Sequence, residues 1–172
     1  KGNSLVKVEG GRRVGDVIIL DSKGIINEDS GEWKGVFAKF TNNDKKTGDL
    51  AEAMKGADAF IGVSKGGIVT ASMVATMAKD SIVLAMANPD PEILPDEAKK
   101  GGARIVGTGR SDFNNQINNS LVFPGLFRGM LDAHATKVST GIKQAARDAL
   151  ASSIEPTDEA ILPPMFTQGI PE

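Results

Sequence analysis

Gly56-Ala57-Asp58-Ala59-Phe60-Ile61-Gly62-Val63-Ser64 is the run on which the fold turns, and a second run of the same kind follows as Ser81-Ile82-Val83-Leu84-Ala85-Met86-Ala87-Asn88-Pro89. A short apolar segment bounded by turn-forming residues reads as a buried strand. Between the two, Thr70 is placed to cap a helix running through Met77, which packs Met73, Val74 and Met77. Strand, helix and strand in that order form a βαβ unit and call for a parallel sheet.

The pattern extends in both directions. Downstream, Pro95 to Lys100 reads as a helix with proline in its first turn. Ala103 to Val106 is the next strand and leads into Gly107-Thr108-Gly109. Upstream, Asp16 to Leu20 is a strand closing on Asp21, and Asp49 to Lys55 is a short amphipathic helix with Leu50, Ala51 and Met54 on one face. A further helix is expected to begin inside the amide-rich run Ser111-Asp112-Phe113-Asn114-Asn115-Gln116-Ile117-Asn118-Asn119 and continue through Leu126. Another covers Ser139 to Ala151, and Pro156 opens a last short one. The polar connection from Asn27 to Lys46 has room for a helix around Trp33 to Phe40. The expected fold class is α/β, a Rossmann-like doubly wound parallel sheet.

Composition removes several function classes. The chain has 172 residues, 20 basic and 22 acidic, for a net charge of -2. That balance creates no field for nucleic acid or an anionic membrane. Cysteine is absent, which excludes disulfides, thiolate-bound zinc and a thiol nucleophile. The longest apolar runs, such as Val17-Ile18-Ile19-Leu20, are too short to span a bilayer. A cytoplasmic setting is expected.

In a doubly wound sheet, ligands bind at the carboxyl ends of the strands. Asp21, Gly62, Val63, Ser64, Asn88 and Gly107 to Gly109 all follow strands and would line one edge. Asp21 at a second-strand end can accept from the adenosine ribose hydroxyls and repel a 2′-phosphate, which favours NAD. Lys23 nearby could tolerate that phosphate, so NADP stays open, and a plain turn is an equally good use of the aspartate. Gly62 to Ser64 would let the backbone approach a cofactor, although a simple turn accounts for them too. Asn88 precedes proline and is biased to extended backbone, so its amide can project from the strand end. Amides donate and accept without carrying charge, which suits a site for a small polar anion. The lone His134 has no evident partner and reads as structural.

The Gly-x-Gly-x-x-Gly loop of a dinucleotide fold is not recognisable, because Gly10-Gly11-Arg12-Arg13-Val14-Gly15 precedes a strand instead of following one. If Asp16 to Leu20 is the second strand, the first strand and its phosphate loop lie before Lys1, and Leu5 to Val8 is the tail of the first helix. The expectation is therefore a partial NAD(P)-binding domain over 1–172, with a ragged start at 1–15 and a truncated closing segment at 156–172. A sheet edge and a helix face would be left for a partner segment or a larger parent polypeptide.

At this point the residues resemble the NAD-binding domain of malic enzymes, of the compact bacterial and archaeal type. The similarity is carried by Asp21-Ser22-Lys23-Gly24-Ile25-Ile26, by Thr47-Gly48-Asp49-Leu50 and by the strand run ending in Ser64. It continues through Met86-Ala87-Asn88-Pro89-Asp90-Pro91-Glu92-Ile93, Ala103 to Phe113, Asn115-Gln116-Ile117-Asn118-Asn119, Phe123-Pro124-Gly125 and Ile161-Leu162-Pro163. The resemblance implies oxidative decarboxylation of malate to pyruvate and carbon dioxide, with hydride passing to NAD and a Mg²⁺ or Mn²⁺ ion engaged. It implies substrate contacts from Asn88, Asn118 and Asn119, cofactor contacts from Asp21, Gly62, Val63, Ser64 and Asn88, and a homo-oligomeric parent enzyme. The family's proton-handling tyrosine has no counterpart, since the chain contains no tyrosine. Its catalytic lysine and metal ligands are expected upstream, so this chain alone is expected to be inactive. Lys65-Gly66 and Asn114 also depart from the usual pattern. Other readings are a related two-domain NAD-dependent dehydrogenase and a non-catalytic nucleotide-binding or assembly module.

Overall fold

The computed structural model describes residues 15–27, 30–31 and 42–164. The expected helix tail at 5–8, the glycine run from 10 to 14 and the helix around 33–40 lie outside them. In chain order the elements are β1 (Leu20–Asp21), β2 (Gly24–Ile25), α1 (Leu50–Met54), β3 (Ala59–Gly62), α2 (Ala71–Val74), β4 (Ile82–Ala85), α3 (Pro95–Lys100), β5 (Ile105–Thr108), α4 (Phe123–Asp132) and α5 (Thr140–Ala151). A 3₁₀ turn, Asn119–Leu121, precedes α4.

β3, β4 and β5 form one parallel sheet in that order, with Ala59 opposite Ile82 and Ile82 opposite Ile105. Val83, Ala85 and Val106 project from one face into a core shared with Met54 of α1, Val74 of α2 and Ala98 of α3. Helices over a parallel sheet are the α/β arrangement that the sequence pattern predicts. Local chemistry sets the helix starts. Asp49 accepts from Glu52 N at 3.0 Å, Thr70 from Met73 N at 3.3 Å and Ser139 from Ile142 N at 3.2 Å. α3 carries proline at its start, Asp96 and Glu97 in its first turn and Lys99 and Lys100 in its last, each favourable to the helix dipole. On the far side of the sheet, Ile61 and Val63 stay 40% and 38% exposed. Among the described residues no strand pairs with the outer edge of β3.

Four expectations are corrected. The segment 16–20 is not a strand of the parallel sheet: only Leu20–Asp21 is β, and it pairs antiparallel with Gly24–Ile25. The cause is local. Asp21 accepts from Lys23 N at 2.8 Å and Gly24 takes φ 116°, so the chain reverses at Ser22-Lys23. Helix α2 stops at Val74 rather than Met77, where Thr76 Oγ1 donates back to Met73 O at 2.7 Å and the last bonds tighten to i→i+3. The helix expected to begin inside 111–119 and run through Leu126 starts only as the 3₁₀ turn at Asn119, with α4 beginning at Phe123, because Asn115 adopts φ 55° and Gln116 bridges to Thr108 in parallel fashion. Pro156 opens no helix either; Thr157 and Ala160 form an antiparallel bridge closed by reciprocal backbone hydrogen bonds of 3.1 and 3.2 Å.

Candidate functional site

The parallel register sends every strand end to one edge. β3 exits through Gly62 into Val63 and Ser64, β4 exits through Ala87 into Asn88, and β5 exits at Thr108. The Gln116 bridge makes 116–117 run parallel to β5, fixed by Ile117 N donating to Thr108 O at 2.7 Å. Asn118 therefore leaves at the same edge as Asn88. Gly109 lies between these exits: a Cβ there would sit 3.9 Å from Ile117 O and 4.0 Å from Met86 O. Arg110 reaches back across the edge to within 3.9 Å of Asp90, just past the cis Asn88–Pro89 bond.

The asparagines of the amide-rich run divide by role. Asn115 is buried and fully used: Nδ2 donates to Val106 O at 3.0 Å and Asp158 O at 2.9 Å, while Oδ1 accepts from Ile161 N at 2.8 Å. It ties the closing segment to β5. Asn114 donates to Glu159 at 3.2 Å. Asn118 caps the 3₁₀ turn, its Oδ1 accepting from Ser120 N at 3.0 Å. With its oxygen bonded by Ser120 N, the half-buried Asn118 keeps its Nδ2 N–H donors for a ligand. Asn119 and Asn88 are exposed, and no protein group among the described residues bonds the Asn88 amide.

Two contributors to this edge escape a reading by residue type. Glu92 is fully buried, with Oε1 accepting from Ser64 N at 2.8 Å and Oε2 from Ala87 N at 3.0 Å. Hydrogen bonds to a charged acceptor contribute roughly 1.5–3 kcal/mol each, which offsets the desolvation of a buried carboxylate. Gly62 makes room for it, because a Cβ there would lie 2.6 and 2.7 Å from the two carboxylate oxygens. A lone acid between Pro91 and Ile93, just past a strand end, is the available signal. The other is Gln116, whose bridge is a backbone event with no side-chain signature.

Asp21 lies in the β1–β2 hairpin rather than in the sheet, and that hairpin is held to the start of α1 by Ile25 N donating to Gly48 O at 2.9 Å. Electrostatics near the edge is dominated by exposed pairs. Arg110 binds Asp112 through two bonds of 2.8 and 2.6 Å, which lowers the Asp112 carboxyl below its usual range and raises the Arg110 guanidinium. Glu159 is likewise lowered, first by Lys99 and then by Asn114. Among the described residues no group of three His, Cys, Asp or Glu could hold a metal ion. No described helix is long and apolar enough to cross a membrane.

Comparison with known proteins identifies what this edge belongs to. Residues 10–168 match the family model for the malic enzyme, NAD binding domain. The chain is 46% identical over 176 residues to the bifunctional malic/malolactic enzyme of Bacillus subtilis, covering 98% of this chain and 43% of that protein. It is 43% identical to the NAD-dependent malic enzyme of Geobacillus stearothermophilus, covering 92% and 34% respectively. The crystal structure of the NAD-dependent malic enzyme from Thermotoga maritima superposes with a TM-score of 0.86 at 39% identity, over 92% of this chain and 43% of that one. The malic enzyme of Pyrococcus horikoshii gives 0.80 at 41%, over 91% and 38%. The chain thus spans less than half the length of these relatives. With a parallel α/β sheet, a shared strand-end edge and these matches, the chain belongs to the malic enzyme family, as its NAD-binding domain.

Proposed function

We propose that this chain is the cofactor- and substrate-positioning part of an NAD-dependent malic enzyme that converts malate to pyruvate and carbon dioxide. The observation that carries the reading is Asn118. Its carbonyl is committed to Ser120 N, which leaves its N–H donors at the edge where Asn88 also emerges. Neutral amide donors suit a dicarboxylate: they hold its oxygens in place and bring no proton of their own to the reaction. Asn88, Asn118 and Asn119 bind malate in this account, while Gly62, Val63, Ser64, Asn88 and Asp21 lie along the cofactor. Exposed Val63 and Ser64 at the β3 exit give the cofactor an accessible backbone, and the Asp21 carboxylate suits ribose hydroxyls. Held along Gly62 to Ser64, NAD would supply the hydride acceptor for malate C2, and loss of the C4 carboxylate, β to the new carbonyl, as carbon dioxide would give pyruvate. The groups that move protons and hold the divalent metal are assigned to parts of the enzyme outside these residues, consistent with the lack of tyrosine. NAD is preferred to NADP on the strength of Asp21, and the intact enzyme is a homo-oligomer.

The test is initial-rate reduction of NAD and, separately, of NADP by the intact enzyme carrying this chain, with Mn²⁺ and a panel of 2-hydroxy and amino acids. The reading expects turnover with malate and a preference for NAD. Turnover with another acid and none with malate overturns it.

A further inference from the structure

The Glu92 carboxylate joins two chain exits that both belong to the candidate site. One oxygen holds the N–H of Ser64, at the end of β3, and the other holds the N–H of Ala87, the residue before Asn88. The Glu92 backbone extends the same knot, since its carbonyl accepts from Val69 N at 2.9 Å and that of Pro91 accepts from Gly67 N at 3.0 Å. No lysine or arginine among the described residues pairs with it. Both of its side-chain oxygens are met by backbone N–H groups, one in each of the segments that follow β3 and β4. A plug of core volume would need no such pairing.

We propose that Glu92 is a positioning residue: it fixes the spacing between the cofactor-side backbone at Gly62 to Ser64 and the substrate-side amide of Asn88. The proposal rests on the malic-enzyme reading above. Only a group that accepts at both ends satisfies the two N–H donors. Glutamine, of nearly the same shape, turns an NH₂ towards one of them and forces that strand end away. Asn88 and the cofactor backbone then each keep their own chemistry but lose their common spacing. Near-attack geometry is sensitive to such displacements, so the defect appears in the chemical step.

The test compares wild-type and Glu92→Gln forms of the intact enzyme with malate, NAD and Mn²⁺, alongside amide hydrogen exchange. The expected result is a fall in kcat of about tenfold or more, with KM for malate and for NAD changed by less than about threefold. The isotope effect on kcat from 2-deuterated malate should rise, and exchange at the Ser64 and Ala87 amides should accelerate. Glu92→Asp keeps two acceptors one methylene shorter and should recover part of the lost kcat; it carries the same readouts if Glu92→Gln fails to fold. Unchanged kcat per folded site, or a fall that merely tracks the folded fraction, overturns the positioning role. If the wild-type enzyme does not oxidise malate, the functional reading fails instead. Exchange then decides the matter for Glu92: faster exchange at both amides with the melting temperature retained supports it, and unchanged protection overturns it.

Discussion

Replacing Asn115 by alanine separates architecture from chemistry within one amide-rich run. The side chain makes three hydrogen bonds, to Val106 O, Asp158 O and from Ile161 N, all at 3.0 Å or less. At roughly 1 kcal/mol net each, their loss costs about 3 kcal/mol. The backbone adds to this, since Asn115 sits at φ 55° and a left-handed conformation costs an ordinary L-residue about 1–2 kcal/mol, less for asparagine. The expected destabilisation is about 3–5 kcal/mol, or a melting temperature lower by about 6–20 °C for a chain of this size. Asn115→Asp should be no better, because it keeps the acceptor for Ile161 but sets a second acceptor against two carbonyls. Urea and thermal unfolding measure the stability, and initial rates per folded molecule measure the chemistry. The reasoning predicts large losses in the first and changes under about threefold in the second. A destabilisation below about 1 kcal/mol in both variants refutes it.

Other consequences follow from the same contacts. If Asp21 sets the cofactor choice as proposed, Asp21→Ser should shift the kcat/KM ratio towards NADP, read from parallel titrations of the two cofactors. The lowered Glu159 carboxyl contributes stability that is present above its unfolded value of 4.5 and is lost as pH falls through its lower folded value. Protection factors in the 157–160 turn, with the intrinsic exchange rate divided out, should therefore fall on acidification below that range, and Glu159→Gln should remove that fall. Gly62→Ala should destabilise the protein more in the wild-type background than beside Glu92→Ala, where the carboxylate no longer fills the space; a double-mutant cycle should show coupling of about 1–3 kcal/mol.

Much of this architecture was readable in the residues, and the failures have local causes. α3 was read to its bounds because proline, acids and lysines all act within a single helical turn of its ends. The β3 and β4 strands were readable because apolar runs of that length have few other uses. The segment 16–20 misled because its apolar run is strand-like, whereas partner choice was decided by an Asx hydrogen bond and Gly24. In the amide-rich run, composition marked a special place without separating Asn115, which is structural, from Asn118, which keeps its donors. That separation depends on a left-handed φ and on the 157–161 segment, distant in sequence. Glu92 offers only the signal of a lone acid past a strand end, because its partners are backbone N–H groups on two other stretches.

Asn118→Asp tests the central claim most directly. Aspartate caps a helical turn as well as asparagine does, so the bond from Ser120 N survives while the Nδ2 donors are replaced by a second carboxylate oxygen. The account predicts a loss of about a hundredfold or more in kcat/KM for malate, with the melting temperature unchanged within about 2 °C. A variant that keeps wild-type kcat/KM for malate contradicts it.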